Sequence, residues 1–238
     1  MNSRVSTDRR RAGMRRMLGG LGLMWLCACG GSPGPESQMG ARPAAAQDAG
    51  AGWNEALERP STRPLPPAGF GTLSQDAITV GLEKGTLLIK AVPLTEWVIR
   101  LTAPDTYRRL NGYKVSQGEE ILRRARRNGE SGWPLVMFVT FYTRALEESY
   151  EPHDLQIRSQ NFLIRPLDIV PVTPGFTRER LRQQESQIAL YLFPGDVDLD
   201  LEMVVEYQGV SGSRWGAIRS VLDAELSLVL SRAGAGED

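Results

Sequence analysis

The chain has 238 residues, with 28 lysines and arginines against 28 aspartates and glutamates, so its formal net charge is zero. It contains one histidine and two cysteines, Cys27 and Cys29. These counts exclude a disulfide scaffold and a zinc site built from histidine and cysteine. Stability therefore has to come from a packed hydrophobic core.

The first 28 residues have the composition of a bacterial export signal. Six arginines and one aspartate precede a short apolar run from Leu18 to Ala28. A helix that spans a bilayer core needs about 20 apolar residues, so this run is too short for a permanent membrane span. We predict a signal peptide over residues 1–28. The pair Arg15 and Arg16 also resembles a twin-arginine signal, which leaves the export route open.

The end of the apolar run resembles a bacterial lipobox, the motif after which signal peptidase II cuts and whose cysteine is acylated. Leu26, Ala28 and Cys29 occupy the −3, −1 and +1 positions of that motif. The resemblance implies lipidation of Cys29 and attachment of the mature chain to a membrane. In bacterial lipoproteins, an aspartate directly after the lipidated cysteine retains the protein at the inner membrane. Gly30 occupies that position here, so the resemblance implies the outer membrane. The alternative is an ordinary cleaved signal that leaves Cys29 free.

The segment that follows, residues 29–69, is predicted to be a disordered tether. It is rich in proline, glycine and alanine and has almost no periodic apolar pattern, so it cannot bury enough surface to fold alone. A flexible chain of this length has a mean reach of roughly 35 Å.

Removal of residues 1–28 takes six arginines and one aspartate from the chain, which leaves a net charge of −5. We therefore expect no nucleic-acid partner.

From residue 70 to residue 232 short apolar segments alternate with turns, which is typical of an antiparallel β protein. We predict strands over 77–83, 86–92, 96–102, 135–143, 155–158, 162–165, 187–193 and 198–207. The run 135–143 is apolar throughout, as in a central strand that is covered on both faces. The last segment alternates apolar and acidic residues, as in a half-buried strand.

Three segments favour helix. Pro104 opens a short helix through Leu110, and Ser116 with Glu119 forms a capping box for a second helix that ends at Gly129. Residues 214–232 match a helical face and also alternate as a strand does, but the segment is too long for an ordinary strand.

The predicted fold class is mainly β with helical additions (α+β). The strand 187–193, the turn at Pro194-Gly195 and the alternating strand 198–207 resemble the end of an immunoglobulin-like module. We therefore expect an antiparallel, immunoglobulin-like β-sandwich with a helical insertion near 104–129 and a C-terminal helix. It forms a single domain over 70–232, followed by a disordered tail over 233–238.

The candidate binding residues are four arginines on the exposed face of the insertion helix: Arg123, Arg124, Arg126 and Arg127. A basic face suits an anionic glycan, a lipid headgroup or an acidic protein surface. The alternative is a solvated helix face whose charge is balanced by neighbouring glutamates, Glu119, Glu120 and Glu130.

Two other groups of polar residues are weaker candidates. His153 and Asp154 are adjacent and suit a general base, but no nucleophile motif accompanies them. Four acids have the alternate spacing of a calcium loop: Asp196, Asp198, Asp200 and Glu202. The apolar residues between them favour a strand whose carboxylates face solvent. We predict no catalytic residues, no metal and no cofactor.

These features favour a lipid-anchored protein of the cell envelope that works as a non-catalytic binding or structural module. Its expected contacts are the membrane, through the lipid on Cys29, and another envelope protein. The alternatives are a binder of an anionic glycan or cell-wall fragment that uses the arginines, and an envelope hydrolase that uses His153 or the aspartates.

Overall fold

The computed structural model describes residues 63–234. The predicted signal peptide, Cys29 and residues 30–62 of the predicted tether lie outside the described residues, as do residues 235–238 of the predicted tail. The described part contains eleven strands in three antiparallel sheets, together with four α-helices. Within it, no helix combines the length and hydropathy that crossing a bilayer requires.

Five strands form the largest sheet: β1 (Val80–Lys84), β2 (Leu87–Pro93), β3 (Leu135–Thr143), β7 (Asp168–Pro171) and β9 (Ser186–Phe193). Their order across the sheet is β1-β2-β3-β9-β7, and every neighbouring pair is antiparallel. The central strand β3 buries side chains on both faces, which explains why its sequence is apolar throughout rather than alternating.

Four strands form the second sheet: β5 (Leu155–Ser159), β6 (Phe162–Ile164), β10 (Met203–Tyr207) and β11 (Val210–Gly212). Their order is β11-β10-β5-β6, so β6 is an edge strand. A two-stranded sheet pairs β4 (Glu147–Ser149) with β8 (Arg180–Arg182). The second sheet packs closely on β1, because a Cβ atom at Gly212 would lie 2.8 Å from Val80 Cγ1 and 2.9 Å from the Gly81 carbonyl oxygen.

An aromatic cluster joins the sheets. Phe141 on β3 stacks on Tyr150 with ring centroids 4.6 Å apart and meets the edge of Tyr207 on β10 at 5.9 Å. The tyrosine hydroxyls are hydrogen-bonded inside the fold, since Tyr150 donates to the Phe176 carbonyl at 2.8 Å and Tyr207 accepts from the Glu151 amide at 2.9 Å. Burial raises the pKa of Tyr150 and of Tyr207. The cluster fastens the two faces of the sandwich to each other.

Four helices complete the described chain: α1 (Glu96–Ile99), α2 (Pro104–Ser116), α3 (Gly118–Arg127) and α4 (Trp215–Gly234). The helix α2 lies on the other face of β3, where the rings of Tyr113 and Phe138 are 5.1 Å apart, and α3 lies against β7. The long helix α4 is fixed at its start by Trp215, whose Nε1 donates to the Leu199 carbonyl at 3.0 Å.

The predicted fold class is confirmed. The described chain is a mainly antiparallel, sandwich-like α+β fold with helices over 104–127 and at the C-terminus. The ambiguous segment 214–232 is helical from Trp215 onward, and the helix continues to Gly234, so the first two residues of the predicted tail 233–238 are helical.

Three local predictions are wrong. Residues 96–102 do not form a strand, because Glu96 starts the short helix α1 and its carboxylate accepts from Arg100 four residues later. The capping box at Ser116 is absent, since that hydroxyl donates back to the Tyr113 carbonyl at 3.2 Å. The strand predicted to begin at Asp198 begins at Met203, because Asp198 instead accepts from the amide of Asp200 in a turn.

Candidate functional site

The predicted arginines lie on α3, but they do not form one free basic face. Arg124 is half-buried, and its Nη1 donates to Asp168 Oδ1 at 2.8 Å and to the Ile169 carbonyl at 2.9 Å. Its Nε donates to Glu120. Arg124 therefore clamps α3 onto β7 and has its main donors occupied within the fold.

The neighbouring arginines share two carboxylates. Arg123 donates from Nε to Glu120 Oε2 at 2.9 Å, and Arg127 lies 3.7 Å from Asp168. Hydrogen bonds from Arg123 and then Arg124 lower the pKa of Glu120 from 4.5 to about 2, so this carboxylate is ionised at neutral pH. Much of the positive charge of α3 is thus balanced locally.

Arg126 is the exception. It is exposed, and within residues 63–234 it forms no ion pair. With Arg123 and Arg127 it lines a shallow, open depression of about 490 Å³, whose other walls are Glu119 and Leu122. This depression can hold an anionic group by exposed guanidinium donors, but solvent screens such contacts and they are weak.

The adjacent His153 and Asp154 are not arranged as a general base. His153 is exposed in a 3-10 turn over Pro152–Asp154, and within the described chain its side chain forms no hydrogen bond. The Asp154 carboxylate instead accepts from Gln208 Nε2 at 2.5 Å, across the turn between β10 and β11. Asp154 alone therefore links its own turn to the turn between β10 and β11.

The four acids predicted on a strand occupy a turn region instead. Asp200 accepts from Arg63 Nε at 2.5 Å, and Arg63 also donates to Asp223 on α4. These bonds attach residues at the end of the predicted tether to the domain, where Pro66 is buried. Among residues 63–234, no three histidine, cysteine or acidic side chains are placed to hold a metal ion.

A buried ion pair was missed by the sequence reasoning. Lys114 has no exposed surface, and its Nζ lies 2.9 Å from Glu96 Oε1 and 5.6 Å from the ring centre of Trp133. The second oxygen of Glu96 accepts from Arg100 Nε at 2.9 Å. The available signal was the stripe Thr106, Leu110 and Lys114 at four-residue spacing, which places a cation on the buried face of α2.

Two exposed apolar surfaces were also missed. The first is the hairpin of β5 and β6, where Phe162 is 72% exposed and Leu163 is 51% exposed. The second is the outer face of α4, where Val221 is 42% and Leu228 is 51% exposed. Large apolar side chains at such exposure cost free energy in water unless another surface covers them, so both are candidate interfaces.

The hairpin has the geometry of an open strand edge. Its turn residues Gln160 and Asn161 have φ of +51° and +64°, as in the tight turn that matches the twist of a two-residue hairpin. Ser159 pairs with Phe162, and Arg158 pairs with Leu163. In such a hairpin the backbone N–H and C=O of Leu163 point away from β5, while Phe162 and Leu163 lie on opposite faces. Hydrogen-bonding groups and apolar surface are therefore presented together.

Scans against family models, curated proteins and solved structures find no match to this chain. The assignment of function therefore rests on the chemistry of its own surfaces.

Proposed function

We propose that this chain is a lipid-anchored lipoprotein of the cell envelope that works as a non-catalytic module and binds another envelope protein. The lipobox-like sequence ending at Cys29 supports the anchor, with the outer membrane as its site. The single observation that supports protein binding is the apolar, open edge of β6, with Phe162 and Leu163 exposed on opposite faces.

The geometry of β6 suits an extended partner segment that adds to the sheet as one more strand. A flat surface would cover either Phe162 or Leu163, whereas an added strand covers both and also satisfies the outward N–H and C=O of Leu163. Edge strands with uncovered apolar side chains are an aggregation hazard that folded proteins normally avoid. A partner strand removes that hazard.

The charges near β6 define the chemistry of the partner. Arg165 is exposed and forms no ion pair within the described chain, and Arg158 lies 2.5 Å from Glu206. We propose that the partner segment is an extended apolar peptide with an acidic residue placed to meet Arg165. The complementary charges set the register and the rate of association more than the affinity.

Substitution at Leu163 tests strand addition directly. Leu163→Pro removes the outward N–H but no hydrogen bond of the β5–β6 hairpin, because proline is tolerated at an outer edge. Leu163→Ala keeps the N–H and serves as the matched control. With a photo-crosslinking residue at Phe162, we expect adducts in cells whose partner peptide is extended and apolar. Leu163→Pro abolishes these adducts, and Leu163→Ala weakens them.

Two results would overturn this proposal. One is equal adduct yield in the Leu163→Pro and Leu163→Ala variants, which would show that no strand pairing occurs. The other is an equal yield when the crosslinker is placed at Leu146, which is 79% exposed but lies outside β6. Unchanged thermal unfolding of each variant establishes that the fold is intact.

The depression beside Arg126 supports a second candidate function, binding of an anionic glycan or cell-wall fragment. Arg123, Arg126 and Arg127 supply exposed donors, and Leu122 supplies an apolar floor for a sugar ring. Peptidoglycan fragments and anionic sugars should then raise the melting temperature of the wild type but not of an Arg126→Glu, Arg127→Glu variant. An equal shift in both proteins would place the ligand elsewhere.

A further inference from the structure

The outer face of α4 carries a second apolar surface that strand addition at β6 does not use. The helix has 20 residues and buries one side, chiefly through Trp215, Ile218, Leu222 and Val229. Beside that buried side runs an exposed stripe, which consists of Ala217, Val221, Ala224 and Leu228. Its spacing of four, three and four residues is that of a seam between two packed helices.

The sizes of the side chains make this stripe complementary to itself. The four positions are symmetric about a point midway between residues 222 and 223. In an antiparallel pair of copies, Ala217 of one copy therefore faces Leu228 of the other, and Val221 faces Ala224. Each large side chain meets a small one, which is the arrangement that lets two helices interdigitate at close distance.

The charges around the stripe also permit self-association. Its flank carries Ser220 and Ser227, whose hydroxyls donate to carbonyls of the same helix at 3.2 and 3.1 Å. Asp223, farther round the helix, accepts a hydrogen bond from Arg63, and Arg232 lies 3.4 Å from Glu225. The four positions of the stripe carry no charge, and the like charges of Arg214 and of Arg232 on the other copy come near each other only at the ends of the seam.

We propose that the occupant of this face is a second copy of the same chain, packed as an antiparallel α4 pair. The helix is about 30 Å long and about 10 Å wide, which offers less than the ~800 Å² per partner of a standard interface. The dimer is therefore weak in dilute solution. Anchoring both copies to one membrane raises their effective concentration and compensates for the small area.

Engineered disulfides in the full-length chain test both the contact and its direction. In an Ala217→Cys, Leu228→Cys variant, the two thiols of one copy are about 16 Å apart along the helix and cannot bond to each other. In the antiparallel pair each thiol meets its counterpart on the other copy. We expect a covalent dimer on non-reducing gels of the oxidising envelope compartment. Each single variant should give at least about tenfold less dimer.

Control variants test whether the covalent dimer forms through the stripe on α4 or through another part of the chain. The wild type shows whether Cys29 forms any covalent dimer. Val221→Arg added to the double-cysteine variant should abolish cross-linking, whereas Leu146→Arg, on an exposed leucine outside α4, should leave it unchanged. The purified Val221→Arg protein should keep the wild-type melting temperature, because residue 221 faces solvent in the monomer.

Three results would overturn the proposal: a double-cysteine variant that stays monomeric, an Ala217→Cys variant that dimerises alone as a parallel pair would, or a Val221→Arg protein that unfolds at lower temperature because its own chain covers the face. None of them bears on the β6 proposal, which the Leu163 variants test separately.

Discussion

At the scale of single residues, the buried Lys114 imposes the strictest local requirement. Its ammonium is wholly removed from solvent and lies between the Glu96 carboxylate and the Trp133 ring. A buried charge that loses its partner costs far more than a surface charge does, because no water replaces the lost contact. Glu96 is the more critical member of the pair, since its carboxylate also binds Arg100.

Glu96→Gln should destabilise the fold by about 3–5 kcal/mol, because it leaves the Lys114 ammonium buried beside a neutral amide. Lys114→Met should cost less, since the carboxylate of Glu96 keeps its contact with Arg100. Urea unfolding of both variants measures the difference. A Glu96→Gln protein as stable as the wild type would show that the pair contributes nothing to the fold.

Glu120 provides a test of how the stability of the fold changes at acidic pH. Its pKa is about 2 in the folded state, below the ordinary value of 4.5, because Arg123 and Arg124 donate to it. A lowered folded pKa stabilises the protein above pH 4.5, and this stabilisation is lost as the pH falls from 4.5 toward 2. In Glu120→Gln that part of the acid dependence should vanish. Melting curves between pH 2 and pH 7 measure it, and an unaltered profile would refute the role of this carboxylate.

At the scale of elements, the helix α3 offers a matched pair of arginines. Arg124 holds α3 to β7 through Asp168 and the Ile169 carbonyl, whereas Arg126 is exposed. Arg124→Ala should destabilise the fold by about 1–3 kcal/mol, because it removes the donor that ties the Asp168 carboxylate and the Ile169 carbonyl to α3. Arg126→Ala should leave the unfolding midpoint unchanged. Equal midpoints in both variants would mean that Arg124 is not a clamp.

The type of an element, helix or strand, could be predicted from the sequence where the pattern of hydrophobic residues determines it. The uniform apolar run of β3 gave the correct element type because burial of these side chains dominates the local energy. The helix α4 was predicted from length, since its residues match a helical face and a strand alike but are too many for an ordinary strand. Prediction failed where a polar contact decided the conformation. The segment at Glu96 looks like a strand by composition, but its carboxylate binds Arg100 and Lys114, and only the folded chain brings Lys114 there.

The candidate site was also only partly predictable from the sequence, because contacts between distant residues determine it. The arginines of α3 were identified from their spacing, but Asp168 and Glu120 occupy most of their donors, and the sequence separation of Asp168 hides that contact. The apolar exposure of Phe162 could not be predicted, because an apolar triplet reads as buried unless the strand order is known. The exposed surface of β6 could therefore be identified only once the strand order was known.

At the scale of the whole molecule, the sandwich exposes two apolar surfaces, the edge strand β6 and the outer face of α4. We propose that one lipidated residue holds this domain to a membrane, that β6 binds a partner strand and that α4 binds a second copy. The proposed anchor is the feature on which the other proposals depend, since the envelope location and the effective concentration would both follow from it. Its chemistry lies in the thiol of Cys29.

The most direct test is fractionation of cells that carry the wild type or Cys29→Ala. Two or more acyl chains hold a protein stably on a bilayer, so the wild type should sediment with the membranes. Cys29→Ala lacks the thiol that carries the lipid, and its mature domain should not sediment with them. Sedimentation of the Cys29→Ala protein with membranes to the same extent as the wild type would contradict the account.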